Sequence, residues 1–225
     1  MADSHKLTKR HILFDMDGTL VDSQFAILDS LREALRENCV REPECLSTDL
    51  IGPPIAEIVR KADPSVSDDV LKDIVASFRR LYDSTPERGL TPYDGIAELL
   101  NTLLQRGFFL YVVTNKPIKP TRRILEYLGW KMFIDVVTPD SGPSPSVKRS
   151  KAESIAALIN EHGLDAREVI MVGDTIGDVT AAHRAGVDAI AVLWGYEKNA
   201  GMLIEQAEYA AHTVQELESL FSQPE

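Results

Sequence analysis

Residues 11–23, HILFDMDGTLVDS, decide how the chain is read. Ile12, Leu13 and Phe14 form a short apolar run of the kind that is buried on both faces in a parallel sheet. The run stops at two carboxylates, Asp15 and Asp17, followed by Gly18 and Thr19. In an extended segment residues i and i+2 point the same way, so both carboxylates can address one point in space. Gly18 permits a sharp exit of the chain. A calcium loop starting at Asp15 would need an acidic or amide residue at 19, Gly at 20 and Glu at 26. Thr19, Leu20 and Ala26 stand there instead, which argues against that reading.

Outward from this stretch, residues 22–88 read as helical. SQFAILDSLREALREN (23–38) places Phe25, Leu28, Leu31 and Leu35 on one helical face, and 48–62 and 67–83 read as two further helices. From residue 93 the pattern changes. A helix ending at Gly107 is followed by the apolar run FFLYVVT, a helix ending near Gly129, then the run MFIDVVT. A helix from Lys151 to about His162, the run EVIMVGD, the helix IGDVTAAHRAG, the run DAIAVLW and a last helix over about 213–222 complete the chain. Short apolar runs alternating with amphipathic helices mean βαβ units. The expected fold is α/β, a Rossmann-like parallel sheet flanked by helices and interrupted after its first strand by an all-helical domain. The expected boundaries are 1–20 and 90–225 for the core and 21–89 for the insertion, with Pro86, Gly89 and Pro92 marking the return.

The 225 residues carry a formal net charge of −11, which argues against a protein that coats nucleic acid. It leaves a small anionic substrate open, because a cleft can oppose the global sign. Cys39 and Cys45 match no paired redox or zinc spacing and are read as reduced thiols. The stretch MADSHKLTKRH has no apolar signal core, and no apolar run approaches the ~20 residues that cross a bilayer. A cytoplasmic protein without membrane or nucleic-acid partners is expected.

Ligands of an open parallel sheet bind beyond the carboxyl ends of its strands. Asp15 and Asp17 follow the first apolar run; Thr114, Asn115 and Lys116 follow LYVV; Gly173 and Asp174 follow VIMV, with Asp178 shortly after; and the loop after FIDVV leads to Lys148, Arg149 and Lys151. Four carboxylates gathered without compensation would repel each other severely. A hard divalent cation such as magnesium resolves this, binding a few carboxylate oxygens together with water or a substrate phosphate. A lysine and a threonine hydroxyl could hold phosphate oxygens, one carboxylate could attack phosphorus, and a second could protonate the leaving oxygen. Ser150 and Glu153 form an S-x-x-E capping box that makes Lys151 the first helical residue. Lys116 with Lys119, Arg122 and Arg123 reads as a solvated face, His183 as a packing or solvated residue, and the histidines show no metal spacing.

These motifs resemble the haloacid dehalogenase superfamily of phosphohydrolases, in the phosphoglycolate phosphatase-like branch with a helical cap. FDMDGTLVDS (14–23) is similar to its first motif, VVTNK (112–116) to its second and VGDTIGD (172–178) to its fourth; IGPPI (51–55) resembles the cap segment and AVLWGY (191–196) the late strand. The resemblance implies that Asp15 is the nucleophile forming an acyl-phosphate, and that Asp17 protonates the leaving alcohol and then activates water. It implies magnesium held by Asp15, the Asp17 backbone carbonyl and Asp174, with Asp178 supporting the metal or orienting Lys151, and Thr114 and Asn115 on phosphate oxygens. The third motif of the branch often reads Lys-Pro-x-Pro. Here SGPSPSVKRSKAESIAAL (141–158) leaves Lys148, Arg149 and Lys151 competing, with Lys151 favoured by its place at the helix start. The implied function is a magnesium-dependent phosphatase of a small phosphorylated metabolite, phosphoglycolate-like, acting as a monomer or homodimer. A 5′-nucleotidase, pyrophosphatase or phosphomutase of the superfamily is the alternative, and a non-enzymatic binding relative the remote one.

Overall fold

The structure, a computed structural model, describes residues 9–51, 54–85, 87–141 and 148–221. Residues 1–8, 52–53 of IGPPI, Pro86, 142–147 and 222–225 lie outside it.

The chain forms two compact units, Met1–Asp22 with Pro92–Glu225, and Ser23–Thr91. In order along the chain, the strands are β1 (His11–Phe14), β2 (Val21–Asp22), β3 (Thr91–Pro92), β4 (Phe109–Val113), β5 (Asp135–Val137), β6 (Val169–Gly173), β7 (Asp188–Val192) and β8 (Tyr209–Ala211). The helices are α1 (Gln24–Glu37), α2 (Ile55–Ala62), α3 (Asp68–Ser84), α4 (Ile96–Gln105), α5 (Ile118–Tyr127), α6 (Lys151–His162), α7 (Ile176–Arg184), α8 (Ala200–Gln206) and α9 (Val214–Leu220). Strands β2 and β3 pair as a two-stranded sheet where the chain leaves and re-enters the core.

The main sheet is parallel throughout and has the order β5-β4-β1-β6-β7-β8. Phe14 stands beside Val112 on one side and Val172 on the other, so β1 is central. Its residues Ile12, Leu13 and Phe14 are buried from both faces, which explains why the run is apolar without alternation. On one face Leu13, Tyr111, Val113 and Met171 pack with Ile155 and Leu158 of α6 and Val179 and Ala182 of α7. Their neighbours Ile12, Phe14, Val112 and Val172 point to the opposite face and are equally buried. From β1 the chain goes first to β4 and β5 on one side, then returns to β6 and β7 on the other. That reversal opens a crevice at the carboxyl ends of β1, β4 and β6.

The helical unit is built on α1 and α3. Ser67 caps α3 by accepting from the Val70 N–H, and two aspartates, Asp68 and Asp69, occupy its first turn. Two readings change here. Phe25 is 62% exposed while Leu28, Leu31 and Leu35 are buried; it lies roughly 90° around the helix from the centre of those three. The helix expected over 48–62 is a 3₁₀ turn, Thr48–Leu50, followed by α2. Pro54 is the N-cap, with φ −55° and ψ 145° outside the helical region, so α2 begins only after it. The short elements α8 and β8 were not anticipated.

Candidate active site

The backbone amide of Asp15 donates to the Val172 carbonyl at 2.9 Å, carrying the β1–β6 pairing one residue past the strand. The chain then turns tightly. The Met16 carbonyl accepts from the Leu20 and Val21 amides, and Gly18 adopts φ +85°. A side chain at Gly18 would be strained by that φ and its Cβ would overlap the Asp174 carboxylate. Glycine is therefore what lets the β1 turn and the end of β6 approach each other. Gly195 adjoins Asp174 from the other side in the same way, and Gly173 adjoins Asp178.

The β6–α7 junction places two carboxylates. Asp174 follows β6 directly and is fully buried. Its Oδ1 accepts from the Thr19 hydroxyl at 3.0 Å and its Oδ2 from the Tyr196 amide at 2.7 Å. The Trp194 indole N–H donates to the Thr19 carbonyl, tying the same two loops together. Thr175 caps α7 in a capping box with Asp178, whose Oδ2 accepts from the Thr175 amide and hydroxyl. The other oxygen, Oδ1, is left to accept from Lys151.

Lys151 is the first residue of α6, fixed there by the Ser150–Glu153 capping box. Its ammonium lies 2.7 Å from Asp15 Oδ1 and also binds Asp178. Lys148 is exposed and Arg149 lies 3.8 Å from Glu161, so Lys151 is the cation of the three that reaches Asp15. Thr114, the first residue after β4, is buried, and its hydroxyl accepts from the Lys116 amide; Asn115 is exposed. Lys116 corrects the reading of its basic run. Lys119, Arg122 and Arg123 are exposed, but Lys116 is buried and its ammonium sits 2.9 Å from Asp17 Oδ2.

Carboxylate oxygens of Asp15, Asp174 and Asp178 all lie within 4.8 Å of one another. Burial pushes the Asp174 carboxyl well above the usual carboxylate range, and Asp178 and Asp15 add to it, against the Tyr196 amide and Thr19 hydroxyl. The Asp15 carboxyl is raised by burial too, with Lys151 opposing and Asp178 and Asp17 reinforcing. Burial pulls the Lys151 ammonium down, but Asp15 and Asp178 together more than reverse this. Four carboxylates, Asp15, Asp17, Asp174 and Asp178, and two ammonium groups, Lys116 and Lys151, sum formally to −2. One divalent cation balances that sum. An all-oxygen donor set short of positive charge is of the kind that would suit a hard divalent cation such as magnesium.

The sequence model for haloacid dehalogenase-like hydrolases matches residues 12–192. The chain belongs to that family. Among relatives of this haloacid dehalogenase-like hydrolase, the phosphoglycolate phosphatase of Vibrio parahaemolyticus is 31% identical over 217 residues, covering 92% of this chain and 93% of the relative. The tyrosine-protein kinase PtkA of Mycobacterium tuberculosis is 33% identical over 187 residues, 82% of this chain. The chain spans only 62% of that kinase. A haloacid dehalogenase-like family hydrolase from Streptococcus pneumoniae shares the fold with a TM-score of 0.83 at 27% identity, covering 96% of this chain and 99% of that one.

The fold thus brings Asp15, Asp174, Asp178 and Lys151 into contact or near-contact, with Asp17 beside them and Thr114 at the same sheet edge. Sequence reasoning missed Thr19, the Tyr196 amide and Lys116. Thr19 stood in the DGT segment and Gly195 in the AVLWGY segment, but their common partner, Asp174, is brought to them only by folding.

Proposed function

We propose that the protein is a magnesium-dependent phosphatase of small phosphomonoesters, working through an aspartyl-phosphate at Asp15. The observation that carries this is Lys151 holding Asp15 and Asp178 together while Asp174 lies within 4.8 Å of both. In this reading an Asp15 oxygen attacks phosphorus as the P–O ester bond breaks, and Asp17 gives its proton to the departing alkoxide. Water then attacks phosphorus, Asp17 takes the water's proton, and the Asp15–phosphate bond breaks to release inorganic phosphate. Lys151, Thr114 and the exposed Asn115 are the proposed donors to phosphoryl oxygens. Bound magnesium supplies neutralisation of the carboxylate cluster and of the phosphate charge. The unit Ser23–Thr91 is proposed as the helical cap. Among the described residues no helix is long and apolar enough to cross a membrane.

Phosphoglycolate is the favoured substrate, in line with the name of the Vibrio relative, and nucleoside monophosphates follow. The mycobacterial relative, named as a tyrosine-protein kinase, favours a second reading in which a hydroxyl group rather than water receives the phosphoryl group. The test is inorganic phosphate release from a panel of monoesters with magnesium, for the native chain and Asp15→Asn. Release by the native chain and none by the variant is expected. No release from any ester, or equal release by Asp15→Asn, overturns the proposal, and transfer to a tyrosine peptide without phosphate release favours the second reading.

A further inference from the structure

Lys116 has no part in the chemistry above, yet it is one of the most firmly built residues at the sheet edge. Only 5% of its side chain is exposed, against 21% for Asp17, whose Oδ2 it touches at 2.9 Å. The backbone around it is anchored on both sides. Its own amide donates to the Thr114 hydroxyl at 3.2 Å, and two residues later the Ile118 amide donates to Asp140 Oδ1 at 2.9 Å. Thr138 holds that same Asp140 oxygen through its hydroxyl. Burying an ammonium is costly unless it is paired, and Asp15 already has its own cation in Lys151. A second buried cation beside Asp17 therefore calls for a separate use.

We infer that Lys116 is a specificity-determining residue that binds a second anionic group on the leaving alcohol, so that the preferred substrates are phosphomonoesters with a carboxylate one carbon from the ester carbon. The inference rests on the phosphatase reading, which places Asp17 against the leaving oxygen. Where Asp17 Oδ2 serves both groups, Lys116 lies no more than two hydrogen-bond lengths, about 6 Å, from that oxygen. In an alcohol of the glycolate type the carboxylate oxygens stand about 3 Å from the ester oxygen. They would fall within hydrogen-bonding distance of the Lys116 ammonium. A neutral substituent there would leave Lys116 on Asp17 and gain nothing from it. In the free protein Asp17 keeps the buried ammonium paired.

The experiment compares 2-phosphoglycolate with its uncharged isostere, phosphoglycolamide, by kcat/KM with magnesium, for the native chain, Lys116→Met and Lys116→Arg. The native chain is expected to prefer the carboxylate by roughly 10- to 100-fold, the range of one charge-assisted hydrogen bond. Lys116→Met is expected to bring the ratio to within about threefold of unity and Lys116→Arg to keep part of it. The ratio is taken on one preparation, so partial misfolding or a displaced Asp17 cancels. A native ratio near unity overturns the inference, as does a preference that survives Lys116→Met or one lost equally in Lys116→Arg. Hydrolysis of both esters with no preference sinks this inference alone, whereas hydrolysis of neither ester or of any other monoester sinks the phosphatase reading with it.

Discussion

Asp174→Asn is expected to make the metal-free protein more stable while destroying its response to magnesium. Asp174 is fully buried, and its carboxylate lies within 4.8 Å of those of Asp15 and Asp178. At an effective dielectric of about 20, two like charges at 4.8 Å repel by about 3.5 kcal/mol, and Asp174 faces two such partners. Lys151, bound to both partners, returns part of this. Relieving part of that repulsion with a neutral isostere is expected to gain on the order of 1–3 kcal/mol. Asparagine also keeps the local hydrogen bonds. Its carbonyl accepts from the Tyr196 amide, and its amide donates to a Thr19 hydroxyl turned the other way.

Thermal melts in chelator and in magnesium test this. For a chain of this size about 1 kcal/mol moves Tm by roughly 2–4 °C, so Asp174→Asn should melt about 2–12 °C above the native chain in chelator. The sign with pH follows from the raised carboxyl. Below the ordinary carboxylate pKa of about 3.9 Asp174 is protonated folded and unfolded and costs nothing. Above it the unfolded chain sheds the proton more readily, so the native protein loses stability as pH rises and the variant's advantage grows. Magnesium should raise Tm of the native chain and leave the variant nearly unmoved. A variant that melts below the native chain in chelator at pH 8, or one that magnesium stabilises equally, refutes the view that this cluster is a repulsive cation site.

Two further expectations follow from the same geometry. Lys151→Ala should abolish turnover and cost about 3–5 kcal/mol in urea unfolding, because it strips Asp15 and Asp178 of their shared partner; Lys148→Ala, at an exposed position, should change neither, and the reverse outcome would move the phosphate-binding cation to Lys148. At the opposite end of β1, His11 is bonded to the Tyr111 hydroxyl at 3.1 Å and stacked on Phe109, and burial lowers its pKa, with Glu168 opposing and Arg10 and His162 reinforcing. A base depressed on folding destabilises only once the unfolded chain takes up its proton, so stability should be complete above about pH 6.5 and fall as pH drops below it; urea unfolding at pH 7 and pH 5 should show a smaller acid loss in His11→Gln, and an equal loss would show that His11 is not the group responsible.

The parts of the site that could be read in advance are those whose signal is local. Asp15 and Asp174 end apolar runs, and a strand followed by an acid is visible without knowing its neighbours. Lys151 was separated from Lys148 and Arg149 by a capping box, and a capping box is defined within four residues. Lys116 was misread because nothing nearby distinguishes it from Lys119, Arg122 and Arg123. Its burial is decided by Asp17, a residue from another strand end. The Tyr196 amide was invisible for a different reason: a backbone donor carries no side-chain signature, and every residue but proline has one. Strand β8 is three residues long and is defined by its pairing with β7, so its own composition says little.

The glycines show why the carboxylates can be so close at all. Gly18, Gly173 and Gly195 each stand where a Cβ would overlap Asp174 or Asp178. At Gly173 and Gly195, where no positive φ requires glycine, folding alone would favour a larger side chain, because glycine costs backbone entropy and buries no apolar surface. It would equally favour fewer charges, because like carboxylates pushed out of water raise the free energy of the folded chain. Both preferences are overridden at one edge of one sheet, while beneath it Ile12, Leu13 and Phe14 of β1 and Val169, Ile170, Met171 and Val172 of β6 are fully buried. Local rules broken together, and only where three strands end around a reversal of connection, mark a place shaped for a ligand rather than for stability. A formal charge short of neutral and an oxygen-only donor set are what a hard divalent cation would require of such a place.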